Sequence, residues 1–110
     1  MVVATANLRL TLESLSEALH SSDPSVRLDA IGSLGCLGCK ARRAVPALLD
    51  ALKDDSVAVR KQAALALGEI GSRASIWALR DALHDEDARV RRCAALALMN
   101  IGAEAIALAA

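Results

Sequence analysis

Cysteine and histidine are the residues of this 110-residue chain whose types could carry metal or redox chemistry. Cys36-Leu37-Gly38-Cys39 has the spacing of a redox dithiol or of half a zinc site. A structural zinc needs four ligands, and the remaining candidates, Cys93, His20 and His84, fall on other helices, at their ends or faces. A redox dithiol of this spacing opens a helix, where the dipole lowers the thiol pKa. Cys36 and Cys39 instead close one, where the dipole opposes the thiolate. The pair is read as structural or incidental. His20 and His84 are equivalent residues, matched by Lys53, at helix ends where a cation meets free carbonyls. Neither has a partner base or nucleophile in view.

The other chemistry-bearing residues read the same way. Asp54-Asp55 and Asp85-Glu86-Asp87 are turn acids that assist helix starts, and no paired-carboxylate arrangement extends beyond them. Arg89-Val90-Arg91-Arg92 is the densest basic run, but acids lie beside it and no aromatics interleave it. With 13 basic and 13 acidic residues, the chain lacks the positive field of a nucleic-acid binder. There is no glycine-rich phosphate loop and no Ser–His–Asp constellation. The expectation is a non-enzyme with no catalytic residue, no metal and no cofactor.

The elements that carry these residues are copies of one unit. Residues 57–71 read as one amphipathic helix ended by glycine, and residues 25–38 and 89–102 are versions of it. Laid together, Arg27, Arg60 and Arg91 coincide, as do Ala30, Ala63 and Ala94, then Leu34, Leu67 and Leu98, then Gly38, Gly71 and Gly102. The spacing is 33 residues and then 31, a period that marks stacked repeats. A second helical pattern precedes each copy, at residues 7–20, 43–53 and 74–84, with Leu8, Leu12, Leu15 and Leu19 on one face of the first. Asp23 before Pro24, Ser56 and Asp87 are the expected caps, and Pro46 is tolerated in an opening turn. Gly32 and Gly35 each cost up to about 1 kcal/mol against alanine unless close packing offsets it, so the first repeat is expected to be the least stable. Residues 39–42 form a linker holding the two extra residues of the first period. Apolar residues make up 55% of the chain and aromatics 1%, Trp77 alone, which suits close helix packing rather than sheets.

These copies resemble HEAT-like repeats, the short bacterial and archaeal subtype also found in phycobilisome-lyase subunits. The pattern D-x-x-V-R-x-x-A-x-x-A-L-G-x-I-G is matched by residues 56–71 with Ser56 for Asp, by 87–102 with Met99 for the first glycine, and by 23–38 with Ser33 and Leu37 as departures. The resemblance implies an all-α fold: a short right-handed α–α superhelix, or solenoid, of three helix pairs plus a C-terminal helical stub. It is read as one domain over residues 1–110, with repeats at about 8–38, 43–71 and 74–102, and residues 103–110 opening a fourth short helix. It also implies a structural ladder in which an Asp and an Arg six residues later, Asp54 with Arg60 and Asp85 with Arg91, bond across neighbouring repeats. Ser21 stands in the Asp position before Arg27, so the ladder is expected to weaken at the N-terminal end. Deoxyhypusine hydroxylases of this family place His-Glu pairs after the motif arginine. Here those positions read Leu28-Asp29, Lys61-Gln62 and Arg92-Cys93, which cannot hold iron.

In such solenoids the second helices line the concave face, where ligands bind. Val59, Ala63, Ala66, Leu67 and Ile70 form the apolar stripe of the middle copy, which turns Lys61 and Leu65 the other way at about 100° per residue. The expected partner-binding surface is Leu28, Asp29, Lys61, Gln62, Leu65, Glu69, Arg92, Leu96 and Asn100. The reading is a non-catalytic scaffold that binds a protein, or a second copy as a dimer, through that face. The alternative is an accessory subunit of an enzyme, such as a lyase-like chromophore-handling factor. An odd cysteine count suits the cytoplasm. The N-terminus lacks a signal-peptide pattern, and no apolar run approaches the roughly 18 residues of a membrane span.

Overall fold

The turns after the first helix of each repeat share one hydrogen-bond pattern, and it sets where each second helix begins. The N–H groups of Ser21, Asp54 and Asp85 donate to the carbonyls of Ala18, Ala51 and Ala82 at 3.1–3.2 Å, tightening each last turn into 3-10 geometry. A side-chain oxygen of the same three residues then accepts the N–H two residues on, from Asp23 at 3.1 Å and from Ser56 and Asp87 at 2.9 Å. Those second residues cap the helix that follows. Asp23 accepts from Ser25 N–H at 2.9 Å, Ser56 from Val59 N–H at 3.4 Å, and Asp87 from Arg89 N–H at 2.8 Å. Short oxygen-bearing side chains are the types that make both bonds.

The structure, a computed structural model, describes the backbone of residues 2–109 and the side chains of residues 10–102. Its elements are α1 (Val2–Ala18), α2 (Pro24–Leu37), a 3-10 segment (Gly38–Ala44), α3 (Val45–Ala51), α4 (Val57–Ile70), a shorter 3-10 segment (Arg73–Ser75), α5 (Ile76–Ala82) and α6 (Ala88–Ala109). The long helices α2, α4 and α6 lie side by side with α4 between its two neighbours, and α1, α3 and α5 pack beneath them as their antiparallel partners. This is a short α–α solenoid of helix pairs. Leu8 and the side chains of residues 103–110 lie outside the described side chains.

Besides α1, which runs over Val2–Ala18 rather than residues 7–20, three boundaries differ from the expectation. The helices expected over 43–53 and 74–84 are α-helical only over seven residues each, and their first turns are 3-10. At α3 the cause is Pro46, which has no N–H to donate to the carbonyl four residues back. At α5 the buried Ser75 hydroxyl donates to the Ser72 carbonyl at 2.6 Å, holding that segment as a tight turn. The third difference is at Gly102, which does not end its helix. Gly71 does so at φ 74°, with its N–H on the Leu67 carbonyl at 3.1 Å. Among the described residues only Gly38 and Gly71 have positive φ. After Gly102 come Ala103-Glu104-Ala105, helix formers with no cap or proline among them, and α6 continues through them to Ala109 rather than opening a fourth short helix.

The core lies between the two layers. Leu12, Leu48 and Leu79 from α1, α3 and α5, with Leu19 and Leu52 just past the ends of α1 and α3, meet Ile31, Leu34, Val59, Leu67, Ile70 and Ile101 from α2, α4 and α6. The equivalent alanines Ala30, Ala63 and Ala94 are buried with them. Within the upper layer, small residues let the long helices approach. A Cβ placed on Gly68 would stand 2.8 Å from Ala97 Cα, and one on Gly35 would stand 3.6 Å from Ala66 Cα and 2.6 Å from the Glu69 carboxylate. At Gly35 the near atom is the movable end of the Glu69 side chain and the Ala66 backbone lies at ordinary contact distance, so the close approach that demands glycine is at Gly68, whereas Gly32 faces open space.

Two substitutions separate these roles. Gly68→Ala is expected to destabilise the fold by about 1–3 kcal/mol, because overpacking at α6 outweighs the better helix propensity. Gly32→Ala is expected to stabilise it by up to about 1 kcal/mol. Urea unfolding followed by circular dichroism measures both, and equal effects at the two glycines would contradict the packing described.

Candidate functional site

Arginine joins the repeats, and its geometry is the same in each copy. Nη1 of Arg27, Arg60 and Arg91 donates at 2.7 Å to the carbonyl six residues back, on Ser21, Asp54 and Asp85. That bond ties each long helix to its own turn. The rest of the guanidinium faces the next repeat. Arg60 donates through Nε and Nη2 to the two Asp85 oxygens at 3.0 and 3.4 Å, with the Glu86 carboxylate 3.7 Å away. Arg27 faces Asp54 in a similar orientation, with Nη2 bonded to Oδ1 at 3.1 Å and Nε 2.9 Å from Oδ2 as an ion pair but without a hydrogen bond of its own. Arg60 is itself buried, so this bidentate pair satisfies charges and carbonyls that stacking shields from water.

The carboxylate partner is thus in the following repeat, while the residues six apart meet through the carbonyl. Two consequences depart from the sequence reading. The ladder is intact at its N-terminal end, because Ser21 lends its carbonyl to Arg27 and its hydroxyl to the turn as the aspartates do. It is open at the other end, where no carboxylate among the described residues pairs with the exposed Arg91. The signal was present in the sequence as the 27- and 25-residue separations of Arg27 from Asp54 and Arg60 from Asp85.

Beside this end Asp87 is tuned by its own neighbour. The Arg89 side chain, bonded at 3.0–3.1 Å, and then the Arg89 N–H hold the Asp87 carboxyl down to about 2. The folded pKa is depressed, so the cap's contribution is fully present above the ordinary carboxylate range and lost as pH falls through about 2.

The surface expected to bind a partner spans the three long helices. Leu28 and Asp29 lie on α2, Lys61, Gln62, Leu65 and Glu69 on α4, and Arg92, Leu96 and Asn100 on α6. Because those helices are neighbours in one layer, equivalent positions form adjacent rows. Their exposure is graded. Asp29, Glu69, Arg92, Leu96 and Asn100 are exposed; Lys61, Gln62 and Leu65 are half-buried, since α4 has a neighbour on each side. Leu28 is partly buried against the core, and the Glu69 carboxylate lies over Gly35 of the first repeat. Leu96, 53% exposed, is the most open apolar residue of this set.

Elsewhere, the turns of the second and third repeats border a groove of about 600 Å³ that includes Asp50, Asp55, Asp81 and Glu86 as well as the ladder carboxylates. Cys36 and Cys39 are exposed, Cys93 is half-buried, and all three are free thiols. Among the described residues no three His, Cys, Asp or Glu side chains converge on a metal-sized site, and no helix is long and apolar enough to cross a membrane. Trp77, on the outer face of α5, is 73% exposed with the Arg80 guanidinium 5.1 Å from its ring centre.

Comparison with known proteins matches this geometry. The family model of HEAT repeats aligns with residues 12–99. No curated protein matches the sequence. Among solved structures, the fold is similar to that of an engineered protein crystallised by the Northeast Structural Genomics Consortium, with 27% identity and a TM-score of 0.69 over 84% of this chain. The alignment covers 45% of that protein, so this chain spans less than half its length.

The two kinds of ladder arginine differ in what their loss exposes. Arg60→Ala leaves the Asp85 carboxylate and two turn carbonyls unpaired in a shielded site, and is expected to cost about 2–4 kcal/mol. Arg91→Ala loses one exposed bond and is expected to cost about 1 kcal/mol or less. Equal losses in denaturant unfolding would contradict the ladder as described.

Proposed function

The chain belongs to the HEAT-repeat family, and from that premise we propose that it is a non-catalytic scaffold that binds a protein partner, or a second copy of itself, through the face of its long helices. HEAT repeats in general mediate protein–protein interaction. The observation that carries the reading here is the equivalence of Leu65 and Leu96 on neighbouring helices, the one half-buried and the other open, with Lys61, Gln62, Arg92 and Asn100 beside them. An apolar strip with a polar rim on a soluble surface is the composition of an interface rather than of a solvated face. The flanking positions support this division. Residues that recur between copies, such as Val59, Ala63, Leu67 and Ile70, are buried, whereas Lys61, Gln62 and Glu69 differ from their counterparts. Three free thiols and no paired cysteines suit a reducing compartment such as the cytoplasm.

Replacing both Leu65 and Leu96 by glutamate tests the face. Self-association measured by sedimentation velocity, or affinity for a captured partner, is expected to fall at least tenfold, about 1.4 kcal/mol. Leu96→Glu alone guards against a folding defect, because Leu96 is the more open of the two. Association unchanged in both variants would exclude this face.

A further inference from the structure

A net charge of zero conceals an uneven distribution along the layer of α3 and α5. Lys40, Arg42, Arg43 and Arg73 are exposed in the two 3-10 segments that open these helices, and no acidic residue lies within 38–44 or 72–75. Among the described residues none of these four side chains makes an ion pair or a hydrogen bond. Glu69, the acid at the end of α4, has its carboxylate over Gly35 instead. At the far ends of α3 and α5 the balance is reversed. Asp50, Asp55, Asp81 and Glu86 are exposed along the groove of about 600 Å³ between the second and third repeats. Lys53 is the one exposed base in its lining, because Arg60 is held by Asp85.

Both sets of charges follow the repeat. Arg42 and Arg73 are equivalent positions 31 residues apart, as are Asp50 with Asp81 and Asp55 with Glu86. At the 33-residue spacing of the first repeat the sequence has Arg9 and Glu17, Arg9 lying outside the described side chains. The other recurring residues are mostly buried and build the stack. Arg42, Arg73, Asp50 and Asp81 recur while exposed and unpaired. Neighbouring helices pack about 8–10 Å apart, so the basic row and the acidic row share one spacing. Within one chain the rows stay apart, since the helical rise from Arg42 to Asp50 is roughly 12 Å. A second copy shifted along the axes of α3 and α5, without rotation, brings row onto row.

We propose that a second copy of this chain docks its Arg42–Arg73 row in the acidic groove, Arg42 facing Asp50 and Asp55, and Arg73 facing Asp81 and Glu86. Charge complementarity and equal spacing select this occupant, and guanidinium matches carboxylate in parallel bonds. The contact is heterologous, so a dimer keeps one free groove and one free basic row, and assembly grows with concentration. It does not rest on the long-helix face, which lies in the other layer. Exposed charge pairs are individually weak and screened by salt, so the association belongs to low ionic strength.

Sedimentation velocity of the full chain tests this. At about 0.01 M ionic strength, where the screening length is roughly 30 Å, the mean mass is expected to rise with concentration. At about 1 M, where it is roughly 3 Å, that rise is expected to vanish. Two matched variants read the register. Arg42→Glu/Asp50→Lys and Arg42→Glu/Asp81→Lys both keep the net charge at zero and replace only exposed residues. In the first, each row still faces its opposite charge, and the variant is expected to associate as the unmodified chain does. In the second, like charges face each other in both repeats, and association is expected to weaken about tenfold or more. Circular dichroism melts establish that both variants fold. A one-chain mass throughout at low ionic strength overturns the proposal. So does an association that salt leaves unchanged, or a second variant that associates as well as the first.

Discussion

In each of the first two repeats one planar guanidinium fastens three pieces of chain: the second helix, the turn before it and the turn of the repeat that follows. Hydrophobic burial holds the layers together, but it is non-directional and would tolerate sliding of one helix pair on the next. The pairs Arg27–Asp54 and Arg60–Asp85 do not tolerate it, because each aspartate also accepts the N–H that shapes its own turn. Register in the stack is thus set by polar groups at one edge. A buried ion pair is costly to desolvate, and it is sustained here because the guanidinium also satisfies turn carbonyls. The same edge explains how unequal repeats stack. The first period is longer by two residues, and the surplus is taken up in the 3-10 segment Gly38–Ala44, away from the ladder.

Much of this was legible in the residues. The caps at Asp23, Ser56 and Asp87, the glycine stop at Gly71 and the buried alanines followed from spacing and residue type, because these are local properties of a helix and its ends. Partners across repeats were harder to read. Arg60 and Asp54, six apart, suggested a direct pair, yet the backbone carbonyl takes that bond and the carboxylate belongs to Arg27. The glycine that close packing requires is Gly68, whose Cβ would meet the Ala97 backbone, and nothing in its residue type distinguished it from Gly32 or Gly35. Gly102 has the same neighbours in pattern as Gly71 but lacks a cap after it, so residue type alone did not decide the helix end. Of the expected surface, Leu28 turned out to be partly buried against the core and Leu65 only half open, since the middle long helix is flanked on both sides.

The fold separates its residues by job. Alanine, glycine and leucine at recurring positions build the stack, the arginine edge keeps its register, and the residues that differ between copies lie mostly on the outer face of the second helices. The ends follow the same logic. Ser21 and Ser33 at one end and Met99 at the other are departures from the repeat at positions where the interior copies are most constrained.

The central claim is that arginine binds each repeat to the aspartate of the next. A double-mutant cycle with Arg60→Met and Asp85→Asn, read by equilibrium urea unfolding, tests it most directly. The account predicts a coupling of about 1–3 kcal/mol between the two sites. Effects that add within about 0.5 kcal/mol would contradict it.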